Sequence, residues 1–162
     1  MTRPVALFSA LCRWFAGLLS VVMVMALTTM FVSVGVQVIA RGVFSTSVLW
    51  FEDVLMSCFT ISIFSGIALA FRTRSHLATT VLSDSLPAGL AWGLGKLIDL
   101  ICILAMAGLG WFGIEFTQSA FGQFTPVLWL PLGWVYLIIP VSAGLSILFI
   151  LDNQLSESGV VR

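Results

Sequence analysis

The chain alternates between long stretches without any charge and short clusters that hold most of its polar side chains. No residue in 14–40, 54–71, 100–114 or 116–151 carries a formal charge. The charges fall between these stretches, at Arg13, at Arg41, Glu52 and Asp53, at Arg72 and Arg74, at Lys96 and Asp99, at Glu115 and at Asp152. Crossing about 30 Å of hydrocarbon takes roughly 20 mostly apolar residues in a helix, and a charge at the centre costs about 2.5–3.5 kcal/mol on insertion scales. The pattern therefore predicts an all-α integral membrane protein with four transmembrane helices, over about 15–40, 49–71, 88–118 and 131–151. Together they form one four-helix domain filling residues 1–162.

Local signals set the helix ends. Arg72-Thr73-Arg74-Ser75-His76 stops the second helix, and Leu86-Pro87 starts the third, since proline is tolerated in a first helical turn. The third helix, at about 46 Å for 88–118, exceeds the hydrocarbon thickness, so it is expected to be long and tilted with a wet inner end. There Lys96 and Asp99 are spaced to pair on one face. Pro126 and Pro131 forbid a continuous helix between the third and fourth spans. Pro140 predicts a kink inside the fourth.

The positive charges choose an orientation. With both termini in the cytoplasm, Arg3, Arg13, Arg72, Arg74, Lys96 and Arg162 lie inside and only Arg41 outside, as the positive-inside rule requires. Trp50, Trp111, Trp129 and Trp134 then gather at the outer ends and Trp14 and Trp92 at the inner ends, where amphipathic rings suit the headgroup level. The N-terminal segment resembles a signal peptide only superficially, because Arg13 interrupts its apolar part. It reads as part of an uncleaved first helix.

Composition narrows the chemistry. With 60 % hydrophobic residues, seven basic and seven acidic side chains and zero net charge, the chain has no electrostatic basis for nucleic-acid binding. A bis-histidine haem needs two histidines and only His76 is present. Cys12, Cys58 and Cys102 form no C-x-x-C pair, which removes disulfide chemistry. A proton-coupled exporter needs a carboxylate embedded in a span. The first span carries no charge and the second and fourth have none in their interiors, while Lys96 and Asp99 of the third are read as a wet inner end in preference to an intramembrane pair. No metal or cofactor site and no nucleophile–base pair can be assembled, so the chain is read as non-enzymatic.

Two sets of residues remain as interaction candidates. Cys58, Ser62, Gly66 and Ala70 recur every four positions along the second helix, a small-residue stripe that lets another helix approach closely, either within the chain or from a partner. Arg41, Trp50, Glu52, Asp53, Glu115 and Gln123 lie at the outer rim, where they are either solvated and mutually paired or positioned to orient a docking protein.

Three segments carry a resemblance. They are Val38-Ile39-Ala40-Arg41-Gly42-Val43-Phe44 with Leu49-Trp50-Phe51-Glu52-Asp53, then Gly66-Ile67-Ala68-Leu69-Ala70-Phe71-Arg72 with Ser75-His76-Leu77, and Gln123-Phe124-Thr125-Pro126 with Leu130-Pro131, Trp134, Tyr136 and Pro140. In order and spacing they resemble the small membrane subunit, of DctQ type, of tripartite ATP-independent periplasmic (TRAP) transporters, over roughly residues 15–151. Thr79-Thr80 stand where that family often has an acidic residue after the histidine. The resemblance implies a scaffold subunit in the bacterial inner membrane, paired with a large transmembrane permease subunit and served by a periplasmic substrate-binding protein. It implies sodium-driven uptake of organic acids, with Pro131, Tyr136 and Pro140 joining the small-residue stripe against the large subunit. The rival expectation is a membrane anchor for an electron-transfer complex.

Overall fold

The computed structural model describes residues 3–44, 50–73, 88–125, 129 and 131–160. These residues form α1 (Arg3–Phe44), α2 (Trp50–Arg72), α3 (Ala88–Ala120), α4 (Leu132–Tyr136) and α5 (Ile138–Val160). Among them no strand occurs; an isolated antiparallel bridge joins Phe124 to Pro131. Four helical segments, Phe8–Val43, Trp50–Arg72, Gly93–Ala120 and Leu132–Gln154, are long and apolar enough to cross a membrane. Arg74, His76, Thr79, Thr80, Asp84 and Pro126 lie outside the described residues.

The observed helices differ from the expected spans at both ends of the chain. The first helix starts well before residue 15 and runs straight through Arg13, whose side chain is exposed. At 42 residues it is about 63 Å long. The fourth span loses one residue of regular helix before Pro140: α4 ends at Tyr136 and α5 begins at Ile138, while Leu137 between them keeps helical dihedrals (φ −54°, ψ −26°). Proline lacks an N–H and its ring crowds the carbonyl four residues back, which here is Tyr136. The break therefore falls one turn before the proline, and Pro140 sits in the first turn of α5.

The helices pack around α5. It meets α1, α2 and α3, whereas α1 rests mainly on α2, and α3 rests on α4 and α5. Between α3 and either α1 or α2 no pair of Cα atoms comes within 8 Å among the described residues. The buried faces are small and partly polar. On α2 they are Ser62, Ser65, Ala68 and Phe71, and on α5 Ser142, Ala143, Ser146, Phe149 and Ile150. Small side chains let helix backbones approach, the main source of attraction where lipid is as apolar as the protein. Most of the hydroxyls bond back to their own helix, as Ser62 does to the Cys58 carbonyl and Ser146 to that of Ser142, both at 2.7 Å. The main apolar cluster joins Cys12 and Leu19 of α1, Ala68 and Phe71 of α2, and Phe149 and Ile150 of α5.

Candidate interaction surfaces

At one end of the bundle the polar side chains are used on one another. Arg72, the last residue of α2, donates to the Asp152 carboxylate of α5 at 2.5 Å, and its guanidinium lies 5.8 Å from the centre of the Phe149 ring. The Asn153 amide donates to the Phe71 carbonyl at 3.0 Å. Gln154 donates to Asp99 of α3 at 3.1 Å, and Asp99 makes no ion pair with Lys96. This corrects the expected pairing along α3: the carboxylate faces α5 instead. The sequence treated Arg72 as a topology signal and Asp152 as a span boundary. Their opposite charges at the same predicted membrane level were the available hint that they meet.

The other end is built around the α3–α4 connection. Thr117, almost fully buried, has its hydroxyl 2.7 Å from the Gly113 carbonyl and 3.1 Å from that of Tyr136. Tyr136 is the carbonyl that Pro140 cannot serve, so Thr117 supplies the missing donor from the neighbouring helix. The Leu132 amide donates to the Gln123 carbonyl at 3.0 Å and closes the loop. Gly133 allows the close packing beneath it, since a Cβ there would come within 2.5 Å of the Phe121 ring. Trp129 takes φ of 53°, a left-handed conformation uncommon for a bulky residue, and projects outward with 75 % of its surface exposed.

The rim residues distribute around this end. Arg41, Trp50, Glu52, Glu115 and Gln123 are exposed and Asp53 is half-buried. Trp50 stacks on Phe51 with ring centres 4.0 Å apart, and the Asp53 carbonyl accepts the Ser57 hydroxyl at 2.8 Å. Arg41, Glu52 and Glu115 join no ion pair among the described residues. The small-residue set is largely engaged inside the chain. Gly66 lies against Met23 of α1, Tyr136 against Phe116 with ring centres 4.9 Å apart, and Pro140 against Gly113. Ser62 is buried, Cys58 and Ala70 are half-buried, and Pro131 is bridged to Phe124.

A family model for the DctQ component of tripartite ATP-independent periplasmic transporters matches residues 30–158. The chain belongs to the DctQ family. This DctQ-type chain is thus a TRAP small permease subunit, a multi-pass protein of the bacterial inner membrane. Among curated proteins it is similar to the isethionate TRAP transporter permease protein DctMQ of Oleidesulfovibrio alaskensis, with 25 % identity over 144 residues. That alignment takes in 85 % of this DctQ-type chain but 22 % of the relative, so the chain spans about a fifth of the relative's length. The electron-transfer anchor gains no support from either comparison.

Proposed function

We propose that this chain is the fixed scaffold of a sodium-driven TRAP transporter for organic acids, working with a large transmembrane permease subunit and a periplasmic substrate-binding protein. The family match over residues 30–158 carries the reading. The arrangement of charge supports a non-catalytic, non-conducting role: Arg72 and Asp152, the charges nearest the core, neutralise each other at a helix end. A relative named DctMQ, four to five times longer than the matched segment, supports a large membrane partner. In this reading the orientation is N-in and C-in, and the rim bearing Arg41, Trp50, Glu52, Asp53 and Gln123 faces the binding protein.

Reconstitution tests it. Proteoliposomes holding this chain alone take up no organic acid under an inward sodium gradient. Those holding the chain, the large subunit and the binding protein do, and the uptake collapses when sodium is equalised. Flux through the chain alone overturns the scaffold assignment, and sodium-independent uptake by the full set overturns the coupling.

A further inference from the structure

Polar side chains fasten the bundle at one end. Arg72–Asp152 and Asp99–Gln154 tie α2 and α3 to the inner half of α5. Along their described lengths α2 and α3 each lean on α5 and not on the other, and a groove of about 550 Å³ lies between them. Its walls are Phe64 of α2 and Leu109, Phe112 and Phe116 of α3, its floor is Ile139 of α5, and Glu115 stands at its margin. Phe112 and Phe116 are 69 % and 51 % exposed, and only 6 % of the apolar window of α3 is buried, the smallest share of the four spans.

We propose that this groove seats a transmembrane helix of the large permease subunit, carrying a cationic side chain level with Glu115. The inference rests on the scaffold reading above and names the surface it uses. Two observations select the occupant. The margin carries one carboxylate that meets no cation among the described residues, so charge complementarity calls for a lysine or arginine opposite it. The curated relative is named as a permease protein, and the matched part is 22 % of its length, which suits a larger permease portion as the neighbour of this bundle. A helix laid against α2, α5 and α3 would cover the most exposed aromatic face of α3 and complete the packing that α2 and α3 leave open. Gly108, one turn below Phe112, has nothing within 4 Å of its Cβ position and leaves space for close approach.

Photocrosslinking in membranes that contain both subunits tests this. Benzoylphenylalanine in place of Phe112 or Phe116 labels the large subunit well above the background given by the same probe in place of Phe31, an exposed position on α1. Labelling no stronger than at Phe31, or of lipid only, overturns the groove as the seat. Glu115→Lys lowers recovery of the large subunit by tenfold or more while Glu115→Gln lowers it less, because facing like charges repel; equal losses overturn the cationic partner. Co-purification with the unsubstituted chain separates the two levels. If the large subunit never co-purifies, the scaffold reading itself fails; if it co-purifies without labelling from the groove, only this inference fails.

Discussion

Arg72 and Asp152 show how little ionic chemistry this chain uses and how much rests on it. Their side chains are 21 % and 8 % exposed, so removing the cation leaves a nearly buried carboxylate without its partner. Arg72→Ala is expected to destabilise the protein by about 3 kcal/mol, read as a lower unfolding midpoint in detergent, because an orphaned buried charge is costly. Replacing both by apolar residues of similar volume recovers most of that loss. Ser65 makes the opposite case: fully buried, its hydroxyl has no hydrogen-bond partner among the described residues. Ser65→Ala is expected to raise stability by about 1 kcal/mol in the same assay. Neither result could be read from the sequence, since Arg72 and Asp152 stand 80 residues apart and the burial of Ser65 depends on which face of α2 meets α5.

At the scale of elements, the fourth span works because a neighbour repairs it. Pro140 withholds a donor from the Tyr136 carbonyl, and Thr117 of α3 provides one. Thr117→Val is expected to cost about 1–2 kcal/mol. Adding Pro140→Ala restores an N–H four residues after Tyr136, so the double variant is expected to regain part of the loss, measurable as a non-additive double-mutant cycle. Gly133→Ala forces the Phe121 ring out of its place and is expected to lower the midpoint further than alanine at Gly144, where the Cβ position is open. The prolines announced a break in the sequence, and the break is there. Its position, one turn before Pro140, follows from the proline itself; its repair was hidden, because it depends on Thr117 of α3 reaching Tyr136 of α4.

For the whole molecule, charge-free stretches were enough to count the spans, since no other fold accommodates so many apolar residues in a row. They underestimated α1, because Arg13 was read as an edge although a single exposed cation on a long helix can reach the interface. The sequence placed Phe64, Phe112 and Phe116 in three separate charge-free runs; only the packing of α2 and α3 on either side of α5 makes them one surface. The N-in, C-in orientation is checked by single cysteines in a background without Cys12, Cys58 and Cys102. A cysteine at Gln123 is expected to react with an impermeant thiol reagent in intact cells, and one at Arg3 only after the membrane is opened.

The length of α1 reaches beyond the protein to the bilayer itself. Its charge-free part, residues 14–40, is about 40 Å long against roughly 30 Å of hydrocarbon, and a tilt of about 40°, at the upper end of the ordinary range, covers the difference. A helix leaning that far is held at its angle by the thickness of the bilayer, and longer acyl chains let α1 stand more upright. Reconstituted transport should then rise as acyl chains lengthen and fall in thin bilayers, making membrane thickness a setting of this machine as much as any residue in it.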